Sequence, residues 1–274
     1  MHSLEILLSC MYEKDYSIIE ASNIKTNAVI INQCDRNSKH TINLTGCKYA
    51  SWINSTERGL SKSRNMAIKN SQADICLLAD NDEFFDDDCE TKILAAYAEL
   101  PDADIIIFNL SNKSTKLKSH SYRLKRLELL RVCSWQITFK RQAIVDNELA
   151  FDIKLGAGSG NGAGEENKFL LDCYDQGLKI YHVPLNIAMM KDNESTWFTG
   201  YDEEFFYKRG MSTRYILGFW WSCVYGIYYV ILKYDLYENK ISAFKAFQRL
   251  FCGILENNLG KDYLKIESGK KDDT

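Results

Sequence analysis

The residues best suited to chemistry lie in LLADNDEFFDDD (77–88), where a strongly apolar run stops at Asp80-Asn81-Asp82. Asp80 and Asp82 are two positions apart, so both side chains project to one side if the extended backbone persists through them. Two hard oxygen ligands in an open site suit Mg2+ or Mn2+, which keep waters and substrate phosphates in their shells. The plainer reading is a turn before a helix N-terminus, where Asp is common. It accounts for Asp86 to Asp88 better than for acids set directly on a strand end. Upstream, ERGLSKSRN (57–65) opens a helix in which Arg64 lies four residues after Leu60 and four before Ile68, beside the apolar stripe. A guanidinium there requires an anion. Either a bound diphosphate or a salt bridge to Asp35 or Asp80 would supply it.

A third stretch, LGAGSGNGAGEEN (155–167), places five of the chain's 15 glycines at alternate positions from Gly156 to Gly164. That spacing fits neither a dinucleotide fingerprint nor a Walker loop. A segment so poor in side chains is mobile, or lets a substrate approach the backbone closely. It ends in Glu165-Glu166 at the start of an amphipathic helix. The helix dipole there favours the ionised form, which leaves a carboxylate competent to accept a proton. A pair of acids in a first turn is also ordinary helix composition. The four histidines are dispersed, and His182 reads as a packed residue rather than a ligand.

These groups need a scaffold, and the first 110 residues supply one. LEILLS (4–9), AVIINQ (28–33), YASWIN (49–54), ADICLLA (73–79) and ADIIIFNL (103–110) are near-continuous apolar runs, as in strands covered on both faces. Helical patterns at 60–71 and 87–100 alternate with them, which predicts a doubly wound α/β domain. Ligands in such sheets sit beyond the carboxyl ends of the strands, which singles out Ser9, Asp35, Asp80 and Asp82. Further on, a helix is expected over 165–176 and a strand over 178–185. With 274 residues and 46% hydrophobic content the chain can bury a substantial core, which excludes disorder and small disulfide scaffolds. A net charge of −3 gives no argument for nucleic acid. Nine scattered cysteines without a C-x-x-C pair, and an opening segment unlike a secretory signal, predict reduced thiols in the cytoplasm.

The last ninety residues differ in character. Tyr215 to Leu232 carries no charge and is rich in Trp and Tyr, residues that favour the membrane interface. The following KISAFKAFQRLFCGILE (240–256) has an apolar side, with Lys240, Lys245 and Arg249 opposite. This is the pattern of a basic amphipathic surface helix. Membrane-surface attachment, a packed two-helix unit and a membrane span are the three readings of the region.

Taken together, GLSKSRN, ICLLADND and GAGEENKFLLDCYDQGLKIYHVP, in that order, resemble glycosyltransferase family 2, over about residues 4–190. The resemblance implies a GT-A fold, Rossmann-like, with a mostly parallel central sheet flanked by helices. A catalytic domain would cover 1–200, with 1–110 on the nucleotide-sugar side and 111–200 on the acceptor side, followed by a helical region over 201–274. It further implies inverting sugar transfer from a nucleotide-diphosphate donor, commonly UDP-linked, with Mn2+ or Mg2+ bridging the diphosphate. Asp82 would ligate the metal, and Asp80 would contact ribose or metal. Met11, Tyr12, Gln33, Asp35 and Arg64 would line the donor site, with Ser9 and Asn81 beside them. Glu166 stands where the family places its catalytic carboxylate, with Glu165 next to it to bind the acceptor. Glu for the usual Asp leaves the choice of base open between the two. Where many relatives carry a His before a Ser-Thr pair, this chain has Met190 and Lys191, so a His-type third ligand is not expected and Lys191 is available to phosphate. Trp135 and Trp197 are candidates to stack on acceptor sugars, or are simply packed. A lipid-linked acceptor at the cytoplasmic face of the plasma membrane, in surface-polysaccharide synthesis, would suit the C-terminal region. A nucleotidyltransferase, or a non-catalytic glycan- or partner-binding module on the same fold, are the competing functions. The first would need a glycine-rich basic loop after the first strand, and SCMYEKDYS (9–17) has no glycine.

Overall fold

A computed structural model of the chain describes residues 2–161, 164–191 and 200–259. In chain order the strands are β1 (Leu4–Met11), β2 (Asn27–Gln33), β3 (Ser38–Asn43), β4 (Tyr49–Ser55), β5 (Ile75–Asp80), β6 (Glu83–Phe85), β7 (Ile105–Leu110), β8 (Tyr122–Arg123), β9 (Ile137–Lys140) and β10 (Ile180–Met190). The α-helices are α1 (Ile18–Ala21), α2 (Leu60–Asn70), α3 (Cys89–Glu99), α4 (Arg141–Asp146), α5 (Glu165–Asp175), α6 (Glu203–Leu232) and α7 (Ala243–Glu256). The chain divides into two units, Met1–Asp152 with Glu166–Glu194, and Ile153–Glu165 with Ser195–Thr274. The glycine-dense loop therefore groups with the C-terminal helices.

In the first unit the expected apolar runs are the central strands. The order β3-β4-β2-β1-β5-β9-β7-β10-β6 forms one sheet, with β8 on β10. Pairing is parallel from β4 through β2 and β1 to β5, and again between β7 and β10. Ile6, Leu7 and Leu8 are all buried although they point to alternate faces, because both faces are covered. The sheet turns mixed beyond β5: the short β9 runs antiparallel between β5 and β7. Sequence reading missed β9, and it missed the polar edge strand β3, whose SKHTIN lacks the apolar run that marked the others. Glu5 is buried at the start of β1, where its carboxylate accepts from the Tyr49 and Ser71 hydroxyls and the Gln72 and Ala73 amides. This acid is structural, and it ties three elements together.

Strand β10 is longer than expected and shifts register against β7 between His182 and Ala188, around Pro184. Its far end then pairs antiparallel with β6, Met190 opposite Glu83. This irregular strand carries Lys191 to the turn that holds the acidic pair.

The second unit is built on α6 and α7. Phe206, Tyr229, Val230, Tyr237, Ala246, Leu250 and Ile254 form its core. The two helices touch through glycine: a Cβ on Gly210 would run into the Leu250 carbonyl, and one on Gly253 into that of Tyr207. Asp202 and Ser242 cap the two helices, accepting from the amides of Phe205 and Lys245. By length and composition α6 can cross a bilayer, with a mean hydropathy of 1.5 over its best window. Gly218, at φ 75°, interrupts it. The piece Phe219–Leu232 is roughly 21 Å long at 1.5 Å per residue, short of the ~30 Å hydrocarbon core. Its exposed side chains include Trp220, Trp221, Val224, Ile227, Tyr228 and Ile231, spaced as one helical face, and Phe244, Phe247 and Leu255 are exposed on α7. The expected cationic face of α7 is partly spent, since Lys245 and Arg249 both pair with Glu203.

Candidate active site

The parallel strands deliver their last residues to one edge of the first unit. Ser9 accepts the Ser63 hydroxyl at 2.7 Å, and Gln33 accepts the Gly59 amide at 2.8 Å, so the start of α2 is fastened to β1 and β2. Gly59 has φ 117°, which only glycine adopts without strain, and this lets α2 begin directly over the strand ends. Met11 ends β1, and Tyr12 follows at φ 53°. Asn32 fixes that exit, because its side chain both accepts from the Glu13 amide and donates to the Glu13 carbonyl. Tyr12 and Asp35 meet at 3.3 Å, and both are joined by Arg58, 2.5 Å from the Asp35 carboxylate and 3.2 Å from the Tyr12 hydroxyl. The Arg58 guanidinium also lies 5.3 Å from the Tyr12 ring centroid. Sequence reading overlooked Arg58; its place directly before Gly59 and the helix start was the available signal.

The two acids of the motif have different environments. Arg64 is 1% exposed and pairs with Asp80 through Nη2 at 3.1 Å, the salt bridge that was one of its two expected partners. The Ser134 hydroxyl donates to the other Asp80 oxygen at 3.0 Å, and the Phe151 ring lies 5.4 Å from the Arg64 guanidinium. Asp80 is thus held on both oxygens. Asp82 is not on an extended continuation of β5, as the side-by-side expectation required. The backbone turns at Asn81-Asp82 before re-entering the sheet as β6. Asp82 Oδ1 is buried without a hydrogen-bond partner among the described residues. Burial first, and the Asp80 carboxylate second, push the Asp82 carboxyl above its ordinary range, with Lys191 opposing. Glu83 is fully buried; one oxygen accepts the Asp80 amide at 3.0 Å, and burial holds its carboxyl well above the usual range.

Lys191 closes the turn. Its amide donates to the Asp82 carbonyl at 2.7 Å, and its ammonium reaches the Asn81 carbonyl at 3.1 Å and the Ser22 hydroxyl at 3.0 Å. Among the described residues no three His, Cys, Asp or Glu side chains form a closed metal site. The donor set nonetheless fits Mg2+ or Mn2+ at an open position. These ions are commonly held by one or two carboxylates plus substrate phosphates, and Asp82 presents a buried oxygen that accepts no hydrogen bond among the described residues.

Glu166 lies in the first turn of α5, and the segment before β9 links it to Asp80. Asn167 donates to the Leu129 and Val132 carbonyls at 3.1 Å, while Ser134 of the same segment holds Asp80. The Cys133 thiol is pushed up by partial desolvation and by the Glu166 carboxylate nearby. The antiparallel β9 explains the link: it enters the sheet where β5 leaves it, so the residues ahead of it lie at the carboxyl end of β5. Ser134 carried no signal in sequence, since only this pairing brings it to Asp80. Glu165 is buried, and its carboxylate accepts the Gly164 amide. Trp135 is partly buried against the sheet core, and Trp197 lies outside the described residues. His182 is buried with Nε2 3.1 Å from the Asn109 side chain, and burial lowers its pKa, as befits a packed residue.

An open sheet of this order, with an acidic turn after its fourth parallel strand, is the GT-A glycosyltransferase fold. The structure resembles S. aureus TarS 1–349 in complex with UDP-GlcNAc, with a TM-score of 0.57 and 15% identity over 77% of this chain and 65% of that one. The same protein in complex with UDP gives a TM-score of 0.58 and 13% identity over 88% and 75%. The mannosyltransferase PcManGT from Pyrobaculum calidifontis, in complex with GDP-Man and Mn2+, gives 0.50 and 10% over 98% and 80%. At these identities the likeness establishes the fold, and the chain spans about two thirds of the first of these structures. A search of curated proteins found no match. Residues 46–153 match the model of glycosyl transferase family 2.

Proposed function

We propose that the chain is an inverting glycosyltransferase that moves a hexose from a UDP-linked donor to a glycan acceptor carried on a lipid, in surface-polysaccharide synthesis. The observation that carries this reading is the Leu129–Ser134 segment, which is bonded both to Asp80 and to the start of the helix bearing Glu166. Donor-side and acceptor-side acids are thereby tied to one edge of one unit. Glu166 removes the proton of an acceptor hydroxyl as that oxygen attacks the anomeric carbon from the face opposite the diphosphate. The bond from that carbon to the diphosphate oxygen breaks, and the electron pair leaves with the nucleotide. Tyr12, Asp35 and Arg58 provide an aromatic face and hydrogen-bonding groups for the nucleoside, and Arg64 orients Asp80. A divalent cation held by Asp82 would neutralise the charge that develops on the leaving diphosphate. Asp82→Asn is expected to abolish metal-dependent UDP binding, and Glu166→Gln to spare binding but abolish transfer, across a panel of nucleotide sugars with Mn2+. Transfer retained by both variants would end this reading.

The exposed aromatic face after Gly218 supports attachment to a membrane surface rather than a span. Because Lys245 and Arg249 are paired with Glu203, attachment should depend on aromatic burial more than on lipid charge. Flotation with neutral phosphatidylcholine vesicles should carry the protein, and Trp220→Ser with Trp221→Ser should release it. Equal flotation of that double variant would refute the assignment.

A further inference from the structure

We infer that Lys191 is a donor-binding residue: its ammonium is a built-in cation for the nucleotide diphosphate, acting whether or not a metal ion is bound. The inference rests on the donor-site reading above. An ammonium has three donors, and two are used among the described residues, on the Asn81 carbonyl and the Ser22 hydroxyl. Those two bonds fix the head of an otherwise flexible side chain, so little rotamer entropy remains to be lost on binding. The backbone is pinned as well, by the Lys191 amide on the Asp82 carbonyl and by the pairing of Met190 with Glu83.

The placement is difficult to explain as simple neutralisation. Lys191 is partly buried, and desolvation lowers its pKa, with the carboxylates of Asp82, Glu83 and Glu13 opposing in that order. A lysine whose task was to satisfy Asp82 would place its ammonium on that carboxylate. Here the ammonium bonds the neighbouring carbonyl and a hydroxyl, and Asp82 Oδ1 is left without a hydrogen-bond partner among the described residues. The turn thus presents an acid suited to a metal and a cation suited to a phosphate oxygen, side by side. Both charges complement a metal–diphosphate ligand, and the lysine alone complements the diphosphate.

The test is equilibrium binding of UDP and of uridine to the full chain, each in EDTA and in Mn2+. It uses the wild type, Lys191→Met, which keeps the aliphatic stem, and Lys191→Arg, which keeps the charge. A lost charge-assisted hydrogen bond of this kind corresponds to roughly tenfold to a hundredfold in affinity. The wild type should bind UDP in EDTA, Lys191→Met should bind it at least about tenfold more weakly, and Lys191→Arg should recover part of the loss. Uridine, which lacks phosphate, should bind all three alike; a merely structural role would weaken uridine and UDP together. Should Lys191→Met misfold, Lys191→Arg and Ser22→Ala carry the test, each expected to shift UDP and not uridine. Unchanged UDP affinity in Lys191→Met, or equal losses for UDP and uridine, overturns the role of Lys191 and leaves the donor site standing. A wild type that binds no UDP with or without Mn2+ overturns the donor-site reading and this inference with it.

Discussion

The two acids of the motif should respond differently to the same substitution. Asp80→Asn removes the carboxylate that pairs with the guanidinium of Arg64, itself 1% exposed. Breaking a fully buried pair from one side costs about 3–5 kcal/mol. The Asp80 side chain is 28% exposed, so water reaches the vacated site and screens part of that penalty, leaving about 2–3 kcal/mol. Asp82→Asn breaks no ion pair among the described residues. It removes a half-buried charge beside Asp80, together with their repulsion, and should leave stability unchanged or slightly improved in the absence of metal. The assay is urea unfolding in EDTA followed by tryptophan fluorescence, since Trp52 is 2% exposed in the core of the same unit. In thermal terms the Asp80 variant should fall by roughly 4–10 °C. Binding should reverse the order, with Asp82→Asn losing the Mn2+ contribution to UDP affinity and Asp80→Asn keeping part of it. Equal destabilisation by both substitutions, or a larger loss at Asp82, would refute the division of labour between a structural acid and a ligand.

Two further outcomes follow from contacts already described. The Glu166 carboxylate helps raise the Cys133 thiol, so Glu166→Gln should lower the apparent pKa of Cys133 relative to the wild type. Peptide-resolved alkylation rates against pH read this directly, and an unchanged profile would separate the two side chains. Gly253→Ala puts a methyl against the Tyr207 carbonyl, so α6 and α7 must move apart. The expected result is faster proteolysis of the C-terminal unit, with unaltered protection in the sheet; equal protection throughout would show that the crossing yields cheaply.

The long apolar runs were legible because burial on both faces leaves them no polar positions. The acidic turn was legible because charge at such a strand end is conspicuous. What escaped was decided by pairing: SKHTIN is an edge strand without an apolar signature, and ITFK is four residues whose reversed direction no local pattern records. Ser134 was invisible for the same reason, since its meaning depends on β9 lying against β5. Arg58 and Lys191 differ from ordinary surface cations only in what the fold sets around them. For Arg64 the sequence required an anion, and tertiary structure places Asp80 beside it.

The reversed strand carries one more consequence. β7 ends at Leu110 and β9 begins at Ile137, and the two are adjacent, with Ile107 opposite Ile137. The stretch between them leaves and rejoins the sheet at neighbouring points, like a cassette clipped at both ends and once between, where β8 pairs with β10. Evolution, or a designer, can exchange such an insert without rethreading the scaffold. A chimera that swaps 111–136 for a foreign segment, keeping a strand for β10, a serine for Asp80 and two carbonyls for Asn167, should retain the fold of the sheet around it.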